Sequence, residues 1–303
     1  MDAQQTLRRQ ISCAGIGLHS GNKVTLTLKP APAGTGIRFR RTDLGVEIPA
    51  TVDSVAGITL ATALGRDGAT VETVEHLLAA IVSVGLDNVY IELTQNEVPI
   101  MDGSSAPFLY LLHEAGLKRL AAPRQYLKVL RPVQITNGDK RIAIYPSDHF
   151  KVSYTISFDH PLLRHQSRTE RITEQTFAEH IAAARTFGFL KEVEYLRQNG
   201  LALGGSLENA IVIGDTGVLN ALRFEDEFVR HKILDVVGDL ALVGYPIIGH
   251  VVAHRAGHAL HTALGAQLLA ERDAWTLVDS PGAELPEAET VPVAGAVRGP
   301  ALQ

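Results

Sequence analysis

The chain has 303 residues, a net charge of -5 and a single cysteine, and this length can bury one large or two medium cores. Its acidic balance argues against a nucleic-acid groove, which needs a surplus of Lys and Arg. Because Cys13 has no partner in the chain, an intrachain disulfide is excluded, and any metal ion would be held by His and carboxylate groups. We find neither an apolar run of membrane-spanning length nor a signal-peptide core. These features are typical of a cytosolic enzyme.

The first half of the sequence predicts strands followed by helices. Apolar residues alternate along 23–30, which predicts a strand, and 36–41 is expected to pair with it as a hairpin across a Pro/Gly-rich link. A helix is predicted over 73–86, with Thr73 as its N-cap, and a strand over 88–93. A serine before Pro107 and a glycine at its end predict a second helix over 102–117.

The second half repeats this order of elements. Its first two strands are expected to form a hairpin, and its first helix is expected to end at Gly188. The predicted elements are strands over 128–135, 140–146 and 151–158, helices over 173–186, 191–199 and 224–243, a strand over 247–254 and a helix over 257–272. The repeated order predicts an α+β fold with two similar domains, 1–122 and 126–280. The Pro/Gly/Ala-rich tail 281–303 is expected to be poorly ordered.

The helix predicted over 224–243 carries ionisable residues on an otherwise apolar segment. Glu227, His231, Asp235 and Asp239 follow one another at intervals of four and share one stripe. His231 and Asp235 are close enough on a helix to hold one metal ion together. A surface ion pair is the common alternative for such a pair. The apolar surroundings and the further carboxylate of Asp239 favour the metal site.

A second candidate lies at the start of the helix over 73–86. Glu75 precedes His76, and a carboxylate beside a metal-binding histidine could take a proton from water in a metal-assisted hydrolysis. The alternative is a glutamate that only interacts favourably with the helix dipole. This stretch alone favours the helix-dipole interpretation.

Four histidines cluster near the C-terminus: His250, His254, His258 and His261. On a strand, His250 and His254 would lie about 13 Å apart and could not share an ion. We expect one or two of the four to be catalytic and the others to be ordinary surface histidines.

Several motifs together carry a family resemblance. They are "GIGLHSG", "TVEHLLAA", "VPIMDGSSAPF", "ARTFGF", "LRFEDEFVRHKILDVVGDL" and "AGHAL", in this order. The chain closely resembles the UDP-3-O-acyl-N-acetylglucosamine deacetylases, zinc hydrolases of lipid A biosynthesis in Gram-negative bacteria, from about residue 5 to about residue 280. One departure is Ala256, where the family usually has Ser.

The resemblance implies a fold and a set of catalytic residues. The expected fold is two domains of similar topology, with the helices between two sheets and the active site at the junction. The implied zinc ligands are His76, His231 and Asp235, and iron(II) suits the same ligands. The implied catalytic residues are Glu75 as general base, His258 as general acid, Asp239 as its orienting carboxylate and Thr186 as a donor to the oxyanion.

The resemblance also implies how the substrate is held. The matching substrate-binding residues are His19, Lys140, Phe158, Phe187 and Lys232, of which Lys140 and Phe158 match positions that hold uridine diphosphate. The segment 189–215 matches an insert that forms an apolar passage for the acyl chain. We expect a cytoplasmic monomer with at most transient contact with the inner membrane. Two alternatives are a metal-dependent sugar-nucleotide binding protein without catalysis and a metallohydrolase acting on another N-acyl sugar.

Overall fold

The computed structural model describes residues 2–161 and 163–281, and in these residues it is an α+β protein with six α-helices and twenty strands. The helices are α1 (Glu75–Ser83), α2 (Ala106–Ala115), α3 (Glu174–Thr176), α4 (Leu190–Gln198), α5 (Glu227–Leu240) and α6 (His258–Ala270). The first ten strands are β1 (Ala3–Leu7), β2 (Ile11–Ile16), β3 (Lys23–Pro30), β4 (Ile37–Arg41), β5 (Val46–Pro49), β6 (Val55–Gly57), β7 (Ala63–Arg66), β8 (Ala69–Val71), β9 (Val89–Leu93) and β10 (Leu117–Pro123). The other ten are β11 (Tyr126–Val129), β12 (Val133–Asn137), β13 (Lys140–Tyr145), β14 (Lys151–Ile156), β15 (Gln166–Arg171), β16 (Phe187–Phe189), β17 (Ile211–Ile213), β18 (Ile247–Ile248), β19 (His250–His254) and β20 (Trp275–Val278).

Two five-stranded sheets have the same topology. The first has the order β2-β3-β9-β4-β5 and the second the order β12-β13-β19-β14-β15. In each sheet the central strand, β9 or β19, runs antiparallel to one neighbour and parallel to the other. Each central strand also follows a helix in the chain, α1 or α5. The expected α+β class with two similarly built halves is therefore confirmed.

The hairpin expected between 23–30 and 36–41 is wrong. Strands β3 and β4 are not neighbours, because β9 lies between them, and Leu28 and Phe39 both pair with Ile91 of β9. The alternation of buried residues was sufficient to predict the strands. The alternation does not indicate which strand will be the neighbour. Here the neighbour is β9, which lies about 50 residues after β4 in the chain. By contrast, the second predicted hairpin is confirmed, with Asn137 opposite Lys140.

Three further local predictions need correction. The segment 128–135 contains parts of two strands, because residues 130–132 interrupt the extended structure. Strand β11 then joins a different sheet, with β18 and β20. The helix over 173–186 is shorter: α3 continues as one π-helical turn to Ile181, and residues 187–189 form β16 instead of a helix end. Thr73 is not the N-cap of α1, since Val74 occupies that position and Thr73 has a φ of 57°.

The two halves meet where α1 packs against α5. Gly238 of α5 lies directly against the backbone of Glu75, so that an added Cβ would fall on the Glu75 carbonyl group. Helices α5 and α6 also contact the second sheet, and α2 contacts β2 of the first. Apolar side chains from both sheets and these helices form one continuous core. This close crossing brings the first turn of α1 next to the middle of α5.

In the part of the chain that the structure describes, no helix is long and apolar enough to cross a membrane. The chain passes from the first half to the second between β10 and β11. The division into domains 1–122 and 126–280 stays a prediction. The predicted poorly ordered tail falls almost entirely on residues 282–303, which lie outside the described residues.

Candidate active site

Three buried side chains from α1 and α5 converge at the helix crossing. His76 belongs to the first turn of α1, and His231 and Asp235 lie one turn apart on α5. Nε2 of His231 lies 3.3 Å from Oδ1 of Asp235, and Nε2 of His76 lies 3.8 Å from the same oxygen. Each residue offers an atom within 4.8 Å of the other two. Two histidines and a carboxylate at such distances can bind one divalent ion.

Hydrogen bonding and burial leave lone pairs available in this cluster. Nδ1 of His231 donates to the carbonyl oxygen of Ala184 at 3.0 Å, which leaves the lone pair on Nε2 in the neutral ring. Burial lowers the pKa of His231, and burial together with the neighbouring His231 lowers the pKa of His76 to about 3. Both rings are therefore neutral at pH 7, as metal binding requires.

The cluster also contains polar atoms that lack a partner. Within the described residues, Oδ1 of Asp235 and Nδ1 of His76 are buried and form no hydrogen bond. The other Asp235 oxygen, Oδ2, accepts a hydrogen bond from Nζ of Lys232 at 2.7 Å. A buried carboxylate oxygen without a partner is costly, and a bound cation would remove that cost. The residues present therefore fit a metal ion.

A carboxylate and an imidazole face each other beside this cluster. Oε2 of Glu75 accepts a hydrogen bond from the backbone N–H of Thr62 at 3.1 Å, and Oε1 lies 3.9 Å from Nε2 of His258. Nδ1 of His258 donates to Oδ2 of Asp239 at 2.8 Å, and Thr62 Oγ1 donates to Oδ1 of Asp239 at 2.5 Å. Since 3.9 Å exceeds hydrogen-bond length, Oε1 and Nε2 both remain free to act on a third group between them.

The surroundings shift the pKa values of the two facing groups. Burial raises the pKa of the Glu75 carboxyl group to about 7, against the lowering effect of a charged His258. Burial opposes protonation of His258, but the charge of Asp239 and its hydrogen bond raise the pKa of that imidazole to about 9. A carboxyl group poised near neutrality and an imidazole that stays protonated are suited to act as base and acid in one reaction.

Glu227, the first acid of the α5 stripe, lies outside this site. Its carboxylate is fully buried and accepts hydrogen bonds from the backbone and side chain of Arg185, with Nε 2.9 Å from Oε1. It also accepts the backbone N–H of Arg223 at 2.6 Å. The pair fixes the chain just before Thr186, so Glu227 supports the structure while the other three residues of the stripe face the site.

Two adjoining cavities meet at the site. One, of about 240 Å³, is lined by Glu75, the three candidate ligands and His258. The other, of about 380 Å³, runs along α4 and is lined mainly by apolar residues, most of which belong to the segment 189–215. Thr186, Phe187 and His19 line both cavities. A ligand could therefore reach the polar cluster with one end while an apolar portion lies in the second cavity.

Four of the five predicted substrate-binding residues line these cavities. Lys232, Phe187 and Phe158 surround the polar cavity, where the Phe187 ring stacks edge-on against His231 with centroids 6.2 Å apart. His19 is buried, and within the described residues neither of its ring nitrogens has a hydrogen-bond partner. Lys140 is exposed at the start of β13 and lines neither cavity.

Sequence reasoning missed three residues around the site. Thr62 contacts both Glu75 and Asp239, as described above. Glu97 is buried and accepts hydrogen bonds from the His19 backbone, from Ser20 and from Thr73, so it holds the loop that carries His19. These contacts join residues 13 to 177 positions apart and leave no local pattern.

The third is His261, one of the histidines expected at the surface. That expectation is wrong, because the side chain is fully buried and its Nδ1 lies 2.8 Å from Oδ2 of Asp239. Its position one turn from His258 on a helix was the signal that could have indicated a shared partner.

Comparison with known proteins shows one matching family model and relatives that share about half of their residues with this chain. The family model described as UDP-3-O-acyl N-acetylglycosamine deacetylase matches residues 4–270. The UDP-3-O-acyl-N-acetylglucosamine deacetylase of Pseudomonas entomophila is 51% identical over 284 residues, which are 92% of this chain and 94% of the relative. The proteins of the same name from Geobacter sp. strain M21 and Myxococcus xanthus are 51% and 50% identical over 280 and 286 residues. These alignments cover 91% and 93% of this chain and 92% and 91% of the relatives.

The fold and the site define an α+β enzyme of two similar halves, with a buried cluster suited to a metal ion beside a facing carboxylate and imidazole. The chain belongs to the UDP-3-O-acyl N-acetylglycosamine deacetylase family. The family expected from the ordered motifs is confirmed, and with it the deacetylation that the family name describes.

Proposed function

We propose that the chain hydrolyses the N-acetyl group of UDP-3-O-[(3R)-3-hydroxyacyl]-N-acetylglucosamine as a zinc-dependent step of lipid A biosynthesis. The products are acetate and the free amine. One observation carries this proposal: the candidate ligands, the acid–base pair and the apolar cavity share one site within the fold of a deacetylase family. The protein would act in the cytoplasm of a Gram-negative bacterium, as a monomer in at most transient contact with the inner membrane.

The metal would be held by His76, His231 and Asp235. Two imidazoles and a carboxylate suit Zn²⁺, and Fe²⁺ accepts the same ligands. When bound, the ion supplies Lewis-acid polarisation of the acetyl carbonyl and makes the attacking water more acidic. Lys232 holds the outer oxygen of Asp235 at 2.7 Å, which keeps Oδ1 turned toward the two histidines.

Glu75 would take the proton from the attacking water. Its Oε2 is engaged by the Thr62 backbone, and Oε1 is the oxygen that faces His258. Burial raises the pKa of Glu75 to about 7, and a general base works best when its pKa lies near the pH of the reaction. Glu75 is adjacent to a candidate ligand but does not belong to the cluster of three.

His258 would protonate the departing glucosamine nitrogen from Nε2. Asp239 accepts the Nδ1–H bond at 2.8 Å, so it orients the ring and stabilises its protonated form. The hydroxyl of Thr186 would donate to the developing oxyanion. Its backbone is fixed on both sides, since its N–H donates to Gly103 and its carbonyl accepts from Ile211, each at 2.8 Å.

The substrate would span both cavities. The acyl chain would lie in the apolar cavity along α4, and His19, Phe158, Phe187 and Lys232 would contact the sugar nucleotide near the polar end. Lys140 would meet the uridine diphosphate outside the cavities. Each buried methylene contributes about 0.8 kcal/mol, so every two carbons of acyl chain should change kcat/KM by more than tenfold while they remain buried.

The test measures acetate release from the acylated UDP-sugar and from UDP-N-acetylglucosamine without the acyl chain. We expect the second substrate to lose several orders of magnitude in kcat/KM. Val193→Trp, which narrows the cavity, should shift the preference toward shorter acyl chains. Tyr195→Ala is the matched control, because Tyr195 lies on the same helix, is 66% exposed and does not line the cavity.

Two outcomes would count against the proposal. Equal turnover with and without the acyl chain would favour the alternative of a metallohydrolase for another N-acyl sugar. Binding of the acylated sugar without acetate release would favour a non-catalytic sugar-nucleotide binding protein.

A further inference from the structure

The buried His261 provides a contact that the proposed reaction does not yet use. His258 and His261 lie on the same side of α6, three residues apart, and their Nδ1 atoms both lie 2.8 Å from Oδ2 of Asp239. The rings meet at 74° with centroids 5.9 Å apart. One carboxylate oxygen therefore accepts hydrogen bonds from two imidazoles, while the Oδ1 atom accepts from Thr62.

His261 is itself held from behind. Its Nε2 lies 3.2 Å from the hydroxyl oxygen of Tyr154, a fully buried side chain whose O–H donates to the carbonyl oxygen of Ala256 at 2.6 Å. The Tyr154 ring stacks edge-on against the imidazole with centroids 5.9 Å apart. The His261 ring is thus fixed between a strand of the second sheet and the Asp239 carboxylate.

Asp239 has no cationic lysine or arginine among its hydrogen-bond partners in the described residues. Its position depends on the donors that reach it, since a buried carboxylate without them would be costly. Burial lowers the pKa of His261, so its ring is a neutral donor at pH 7. Hydrogen bonds to Oδ2 of Asp239 from the Nδ1 atoms of His258 and His261, and to Oδ1 from Thr62, account for the close approach of these three possible ligands without an ion.

We propose that His261 is a positioning residue for catalysis: its Nδ1–H bond holds the Asp239 carboxylate in the orientation that directs His258 toward the leaving nitrogen. The inference rests on the roles proposed above for Asp239 and His258. Removal of groups that orient catalytic or ligating side chains commonly costs 10–100-fold. The loss should fall on kcat, because His261 is not among the residues that line either cavity.

The test compares His261→Leu with His261→Asn. Leu fills much of the space but removes the donor, whereas the Asn Nδ2 is bonded to Cγ as the His Nδ1 is and keeps a donor at that position. We expect His261→Leu to lower kcat by at least tenfold with KM within about twofold of the parent and with unchanged metal content. His261→Asn should restore kcat to within about threefold.

A double-mutant cycle tests whether His261 affects kcat through Asp239. In an Asp239→Asn background, His261→Leu should lower kcat by less than about twofold further, because the residue through which it acts is already changed. Leu264→Ala is the packing control, since Leu264 is buried on the same helix and is apolar. It should lower the Tm but leave kcat near that of the parent.

Three results would overturn the inference: an unchanged kcat in His261→Leu, an equal loss in His261→Leu and His261→Asn, or fully multiplicative losses in the cycle. The failure of the underlying site assignment looks different. In that case His258→Ala itself would keep its turnover, whatever the His261 variants do.

Discussion

Substitution of Gly238 by Ala should damage both the stability and the metal site of this protein. Gly238 lies in α5 where it crosses α1, and an added Cβ would fall on the Glu75 carbonyl oxygen and lie 2.7 Å from its carbon and 3.0 Å from its Cα. These are backbone atoms, so no side-chain rotation relieves the clash, and the two helices must separate. The separation moves Glu75 and His76 away from Asp235.

The expected magnitude follows from two opposing contributions. Overpacking costs about 1–3 kcal/mol, and a clash with backbone should lie at the upper end of that range. Replacing glycine by alanine inside a helix stabilises the folded state by about 1 kcal/mol. The net loss of about 2 kcal/mol corresponds to a fall in Tm of about 4–8 °C, taking 2–4 °C for each kcal/mol in a domain of 150–250 residues. Metal affinity should also fall by at least tenfold, as the ligands are displaced.

The assay is thermal unfolding of the metal-free protein, combined with titration of Zn²⁺. Gly265→Ala is the matched control, because Gly265 also lies inside a helix but its added Cβ would meet only side-chain methyl groups, at 3.3 Å from Val243 and 3.4 Å from Val52. Its Tm should be equal to or above that of the parent, with unchanged zinc affinity. If the Gly238 variant matched the Gly265 variant in Tm and in zinc affinity, the close crossing would not be what assembles the site.

Other predictions concern protonation and the general base. The charge of Asp239 outweighs burial and raises the pKa of His258 to about 9, so kcat should fall as the pH rises through about 9. Asp239→Asn should move this alkaline limb of the pH profile to lower pH. An alkaline limb that stays in place would contradict the coupling between Asp239 and His258. Burial tends to raise the pKa of Glu227, but hydrogen bonds from Arg185 lower it below its ordinary value of 4.5. The pair therefore stabilises the fold above about pH 4.5 and loses this contribution as the pH falls through the lowered value. Urea unfolding at several pH values should show a smaller acid dependence in Glu227→Gln, and an unchanged dependence would refute the assignment. Glu75→Gln should keep its metal, measured by elemental analysis, and lose about 10²–10⁴-fold in kcat; loss of the metal would identify Glu75 as a ligand.

Patterns that repeat along one element were sufficient to predict much of the fold. The apolar periodicities of α1, α2, α5 and α6 predicted these helices, and the stripe on α5 predicted that polar groups share one face. Strand pairing was less accessible, since β9 enters the first sheet between β3 and β4 from far along the chain. The short β16 was missed because its residues carry no alternation and its pairing with β17 depends on the intervening segment.

The assembly of the site could not be predicted from spacing. His231 and Asp235 were visible as a pair on one helix, but His76 joins them only through the α1–α5 crossing. The resemblance to a family brought these residues together before the structure did. Contacts made through tertiary packing left no such signal: Thr62 reaches Asp239 across 177 positions, and His261 was mistaken for a surface residue.

The proposed catalytic role of the metal is tested most directly by removing and restoring it while acetate release is measured. Protein stripped with a chelator should keep its fold but release no acetate from the acylated UDP-sugar, and activity should return in proportion to Zn²⁺ up to about one ion per chain. Asp235→Ala, treated in the same way, should recover neither the ion nor the activity. Full turnover by protein that contains no metal would contradict the proposed role of the His76, His231 and Asp235 cluster.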